Sequence, residues 1–241
     1  MNRPLSQPPS MLPTLGCAAV FIMMTVLCLL PFMVVELMDQ ALSRLHLPPW
    51  VAGAALVGIV IGGLFNIPLY RISRDEEFWI DPLAVYGIGG LVPRFRRARN
   101  ETVIAVNVGG CIIPLLLVVL QLIYLANSQS TVMVATGIAT MANILICNLV
   151  ARPVHQVGIM MPAFTSPLVA VGMSWLLLAN DQFDPDRPAV AFVAGVLGPL
   201  IGADLLNLRQ VTKMSTGLLS IGGAGTFDGI VLSGILAALT A

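Results

Sequence analysis

Charge is scarce in this sequence. Of its 241 residues only 10% are Asp, Glu, Lys or Arg, against 57% that are hydrophobic; a soluble domain carries roughly 25% charged residues. So few charges cannot coat a water-exposed globule. The twelve basic and twelve acidic residues cancel to a formal net charge of zero, so no electrostatic footprint points to a nucleic-acid partner. Histidine occurs only twice. His46 and His155 fall in different connections, neither with a second ligand at metal-binding spacing, which argues against a metal site. The four cysteines, Cys17, Cys28, Cys111 and Cys147, sit inside apolar runs without a C-x-x-C pair and read as small packing residues. No cofactor is expected.

What is present is apolar sequence in long runs. A membrane-spanning helix needs about 20 mostly apolar residues. Seven stretches qualify: Thr14–Leu37, Pro49–Ile72, Thr102–Ala126, Thr131–Val150, Gly158–Ala179, Pro188–Leu208 and Leu218–Ala241. The expected fold is an all-α integral membrane protein of about seven transmembrane helices. It forms a single polytopic domain over 14–241, preceded by a polar, Pro-rich tail at 1–13. The first run exceeds the 7–15-residue apolar core of a signal peptide and has no clean cleavage site after it, so it reads as an uncleaved helix.

Lys and Arg favour the cytoplasmic face. With seven crossings, only Arg44 and Arg187 fall on one side and the other ten basic residues fall on the opposite side. This count places the N-terminus in the cytoplasm and the C-terminus outside a plasma (inner) membrane. The connection at 73–101 is the long one. Its run FWIDPLAVY–GIGG–LVPRF predicts a small cytoplasmic β-hairpin around a Gly-rich turn. Its basic end RFRRAR reads as a positive-inside anchor, with anionic headgroups as a second reading.

Glu36 and Asp39 end the first helix; of the twelve acids, two others, Asp204 and Asp228, lie inside spans, on consecutive helices. An Asp at the centre of a spanning helix costs roughly 2.5–3.5 kcal/mol on insertion scales. No span interior supplies a Lys or Arg to neutralise either, which makes both functional candidates. Asp204 lies five residues before Arg209, about 7 Å along a helix; Asp228 lies eleven after Gly217, about 16 Å if all helical. A Gly-rich, unwound approach would bring them to similar depth on neighbouring antiparallel helices. Two close carboxylates share one proton, so one can act as base and the other as acid.

The stretch Gly225-Thr226-Phe227-Asp228-Gly229 resembles the G-x-G-D motif of the presenilin and signal peptide peptidase clan of intramembrane aspartyl proteases, with Phe227 at the second glycine. Asp204, in GPLIGADLLNL, takes the place of the partner aspartate on the preceding helix, with Ala203 where the clan has Tyr. Pro162-Ala163-Phe164 is the nearest match to the clan's Pro-Ala-Leu motif, though it precedes both acids. The resemblance implies Asp204 and Asp228 as catalytic residues, supported by Gly225 and Pro162, acting on a transmembrane peptide in the lipid bilayer. Over its whole length the chain is similar to an uncharacterised family of prokaryotic membrane proteins, a domain of unknown function. AVNVGGCIIP, the PAF–SP region, GADLLNL and GGAGTFDGI carry that similarity.

The remaining polar residues admit two readings each. Asn107, Asn143 and Asn148 are interhelical hydrogen-bonding residues, or Asn107 and Asn143 face the acids and tune their protonation. Asn207, three residues from Asp204, is the better candidate for tuning. Pro162 and Pro167 around Thr165-Ser166 kink a helix or mark an unwound segment lining a polar cavity. Gly222, Gly223, Gly225 and Gly229 pack the last two helices closely, or offer backbone to an extended substrate strand. The alternatives to a protease are a proton- or cation-coupled transporter using the same acids, or a non-enzymatic membrane scaffold.

Overall fold

The computed structural model describes residues 12–79, 95–154, 158–214, 217–223 and 229–241. Among them the chain is mostly helical. Its helices are α1 (Leu12–Ser43), α2 (Pro49–Gly62), α3 (Ile113–Ala126), α4 (Ser130–Val150), α5 (Thr165–Leu177), α6 (Arg187–Leu197), α7 (Leu206–Met214) and α8 (Gly229–Thr240). A π-helical turn, Val108–Ile112, leads into α3, and a π-helical stretch, Gly198–Leu205, fuses α6 to α7, so the described chain forms seven continuous helices. Four are long and apolar enough to cross a bilayer: Met23–Ser43, Val108–Ala126, Ser130–Val150 and Arg187–Gln210. The protein is a membrane protein by that measure.

Three of the expected seven spans come out shorter. Among the described residues, the helical parts of the second, fifth and seventh are 14, 13 and 12 residues, about 18–21 Å long, against a hydrocarbon core of about 30 Å. Strands take up part of each remainder: β1 (Asn66–Trp79), β4 (Gly158–Met160) and β5 (Gly217–Ile221), with β2 (Phe95–Asn107) entering the third span and β3 (Arg152–Val154) following α4. Apolar composition alone does not distinguish a buried strand from a helix segment.

β1 and β2 pair antiparallel from Asn66↔Asn107 to Trp79↔Phe95, with an irregularity between Pro68 and Tyr70. Proline cannot donate to the ladder, and a bulge accommodates it. The register sets Asp75 opposite Arg99 and Glu77 opposite Arg97. The two strands continue from the end of α2 and into the π-helical turn before α3. The expected strand pair around GIGG falls mostly on 80–94, outside the described residues. β5 joins β2 in parallel, Thr102↔Gly217 to Val106↔Ile221, giving the order β1-β2-β5. β3 and β4 form a separate two-stranded ladder that packs against α7.

α6 and α8 form the centre. Every residue of α6 from Arg187 to Val196 is buried, and α8 buries Ile230, Val231, Ser233, Gly234, Ile235, Ala237 and Ala238. Small residues permit this close approach where lipid provides no hydrophobic drive between helices. A Cβ added to Gly195 would stand 3.0 Å from both the Ala237 Cβ and the Ser233 carbonyl oxygen. At the strand end, Gly110 and Gly222 bring their backbones into direct contact, and Gly222 has φ +69°, a conformation that suits glycine.

Candidate functional site

The π-helical stretch that bears Asp204 begins at Gly198-Pro199. Proline has no N–H and would clash with the carbonyl four residues back in an α-helix, so the ladder widens there. The carbonyl concerned belongs to Gly195. It accepts a hydrogen bond from Ser166 Oγ at 3.3 Å. π-helical insertions are frequent at functional sites, and the last turn of this one carries Asp204, which is half-buried. Gly202, two residues earlier, sits against the Ile144 carbonyl of α4, so the stretch is pressed onto α4 at close range.

Asn207, one turn further, is buried. Its Nδ2 donates to the carbonyls of Ala203 (3.0 Å) and Gly202 (3.2 Å) and to Asn148 Oδ1 (3.3 Å). It closes the wide turn and ties α7 to α4. Two of those bonds stay within its own helix and the third crosses to α4.

Asn107 also proves to be a bridging residue. It is fully buried. Its Oδ1 accepts from Gly110 N (2.7 Å), capping the π turn, while Nδ2 donates to the Gly63 carbonyl (2.8 Å) and to Asn66 Oδ1 (3.1 Å). Asn66 Oδ1 in turn accepts from Ser220 Oγ at 2.5 Å. One side chain thereby joins the end of α2, the start of β1, the end of β2 and the start of α3, and through Asn66 reaches β5.

Asn143 anchors a third network in the middle of the bundle. Nδ2 donates to Ser166 Oγ (3.0 Å) and the Ala194 carbonyl (2.8 Å), and Oδ1 accepts from Cys147 Sγ (3.4 Å). Ser233 Oγ bonds Ser166 Oγ at 2.5 Å. Four helices, α4, α5, α6 and α8, meet through these buried side chains. Sequence reasoning misses Ser233; its only signal is a hydroxyl beside Gly234 in an otherwise apolar helix.

Pro162 is exposed and lies in the turn before α5, not inside a helix. Pro167 falls within the first turn of α5, where a missing N–H costs nothing. The helix-kink reading is therefore replaced by a helix start. The glycines expected to pack the last two helices are also reassigned. Among the described residues, a methyl group on Gly229 would meet nothing within 4 Å, whereas one on Gly234 would meet Val196 and Phe192. Gly225 and Asp228 lie outside the described residues, so the Asp204–Asp228 pairing stands as an expectation.

At the far end of the bundle Arg187 is buried with its charge satisfied. It pairs with Asp184, donates Nε to the Leu178 carbonyl at 2.7 Å and Nη2 to the Asn180 carbonyl at 3.3 Å, and stacks 4.3 Å from the Trp175 ring centroid. One of the two basic residues that depart from the charge bias is thus held by the fold itself.

The comparisons with known proteins add a family. No curated protein and no solved structure matches the chain. A family model matches residues 60–240, which includes Asp204, Asn207, Asn107 and the AVNVGGCIIP, GADLLNL and GGAGTFDGI stretches. The chain belongs to the family described as "Protein of unknown function (DUF1614)".

Proposed function

We propose that this protein is a di-aspartyl intramembrane protease of the plasma (inner) membrane, with Asp204 and Asp228 sharing a proton over the scissile peptide bond. The observation that carries this reading is the packing of α8 on α6 and on the π-helical stretch. Gly195 and Gly234 stand at one level. Toward the strand end, Asp204 is nine residues beyond Gly195, about 13 Å by α-helical rise and less through a wider turn. Gly229 is five residues from Gly234, about 7 Å, and the Cα of residue 228 must lie about 3.8 Å from that of Gly229. Asp204 therefore lies at a depth that the chain next to Gly229 can reach. Arg209 and Gln210, exposed just after Asp204, offer water a short route to it.

In this reading one carboxylate, ionised, takes a proton from water as it attacks the peptide carbonyl. The other, protonated, donates to the developing oxyanion. A transmembrane segment must unwind before hydrolysis. β5 is an edge strand of its sheet among the described residues, and an extended peptide can add to such an edge. The charge bias puts the strand end in the cytoplasm, the N-terminus inside and the C-terminus outside.

The test is cleavage of quenched-fluorescent single-span peptides by the full chain in liposomes. Asp204→Asn and Asp228→Asn should each abolish cleavage while leaving the unfolding midpoint within a few degrees. Cleavage that survives both substitutions sinks the proposal. A second reading, a proton-coupled carrier, is favoured by one observation: the buried Thr140 hydroxyl has no partner among the described residues and sits one turn from Asn143 on α4. Flux driven by a pH gradient, without peptide cleavage, would select it.

A further inference from the structure

A cleft of about 610 Å³ opens between α2 and α3 beneath the α1–α2 connection. It is remote from Asp204 in sequence and fold, and its walls are almost wholly apolar. Its polar groups gather at one end. His46, in the α1–α2 turn, is the one non-glycine with positive φ (53°) among the described residues, and its ring stacks on Tyr124 with centroids 4.8 Å apart. Gln121, one turn deeper, is 1% exposed; its Nε2 donates to the Leu45 carbonyl at 2.9 Å, and its Oε1 has no hydrogen-bond partner among the described residues. A buried amide oxygen left unpaired costs about 1–3 kcal/mol, so this site is short of one donor.

The dimensions select the occupant. Along α3 the cleft runs from Ile113 to Tyr124, eleven residues and about 16 Å. One leaflet of hydrocarbon is about 15 Å, half of about 30 Å. A single extended hydrocarbon chain matches that length and is narrow enough to lie between α2 and α3. Trp50, 75% exposed at the polar end, is the residue type that anchors at the headgroup level.

We propose that the cleft is a lipid site. It holds one acyl chain of a membrane lipid in the leaflet opposite the strand end, and Gln121 Oε1 receives an O–H or N–H donor from that lipid's polar region. The site is independent of the protease reading and stands whether or not the protein cleaves peptides.

The experiment uses the full chain in phosphatidylcholine liposomes doped with a phosphatidylethanolamine or a phosphatidylcholine bearing the same diazirine-labelled acyl chain. After photolysis, labelled peptides are mapped. The ethanolamine probe, which carries an N–H donor, should label Leu45–Ala55 and Ile113–Tyr124 over the exposed α4 face at Met133, Val134, Ile138 and Met141. Gln121→Leu should cut the ethanolamine-over-choline preference about fivefold, the worth of one hydrogen bond. Leu116→Trp, at a 57% exposed position on the cleft wall, should block labelling by both probes and keeps the test decisive if Gln121→Leu fails to fold. Equal labelling of the cleft and the α4 face overturns the proposal, as does labelling undiminished by Leu116→Trp. A preference that survives Gln121→Leu in folded protein overturns the role of Oε1. A co-purified peptide crosslinked in the cleft instead of lipid overturns the choice of occupant.

Discussion

Gly195 of α6 lies directly against Gly234 of α8: a Cβ on Gly195 would stand 3.3 Å from the Gly234 Cα. This contact sets the separation of the two central helices and, through it, the distance between everything they carry toward the strand end. Gly195→Leu must push them apart. It should destabilise the protein by about 1–3 kcal/mol through overpacking and abolish any activity that needs both helices. Gly202→Ala, which meets the Ile144 backbone, should behave likewise. Gly137→Ala and Gly172→Ala, with no neighbour within 4 Å among the described residues, should be neutral or stabilising by up to about 1 kcal/mol on helix propensity. Thermal unfolding in detergent separates the two groups.

The Ser166 hydroxyl accepts from two donors and gives one bond to the Gly195 carbonyl. Ser166→Ala strands an amide hydrogen of Asn143 and the Ser233 hydroxyl. Ser233→Ala strands nothing, because Ser166 keeps its other bonds. The expected order of cost is Asn143→Ala, then Ser166→Ala, then Ser233→Ala, with Ser233→Ala at about 0.6 kcal/mol, an average for interhelical bonds in membranes. Unfolding midpoints in one detergent read out the order.

Asn107→Asp replaces a donor with a carboxylate oxygen facing the Gly63 carbonyl and Asn66 Oδ1. Only the protonated acid can donate there, so burial and the facing oxygens would raise its folded pKa above the unfolded value of about 3.9. The unfolded state then loses its proton first. Stability relative to wild type should fall as pH rises from about 4 and level off above the folded pKa. A variant whose stability rises with pH relative to wild type would contradict this arrangement.

Arg187→Lys keeps the charge but not the fork that reaches Leu178, Asn180 and Asp184 together while lying on Trp175. A single ammonium cannot reproduce that planar geometry. The expected loss is about 2 kcal/mol, the scale of one or two charge-assisted bonds. An unchanged unfolding midpoint in Arg187→Lys would show that charge alone holds the α5–α6 turn.

Asp204 is legible in the sequence because a charge in an apolar run has no cheap explanation, and the structure puts it on a long helix that widens at a proline. The buried asparagines are legible as bridging residues by type, since an amide in a spanning segment must bond somewhere. Their partners are not. Asn107 reaches Gly63 across 44 residues and Gln121 reaches Leu45 across 76, and no spacing rule links positions so far apart. The strands escape a hydropathy reading because it averages over a window and responds to composition: Val103, Ile104, Ala105 and Val106 are as apolar in β2 as in a helix.

The sequence alone determined that this chain enters a membrane, because so few charges cannot clothe a soluble surface, and it determined which polar residues need an explanation. Tertiary structure decided how many helices are long enough to cross, since strand pairing between β1, β2 and β5 competes for the same apolar residues. It also decided which glycines matter. A glycine is consequential only where another backbone arrives at contact distance, and that depends on the partner helix, not on the glycine's own neighbours in the chain.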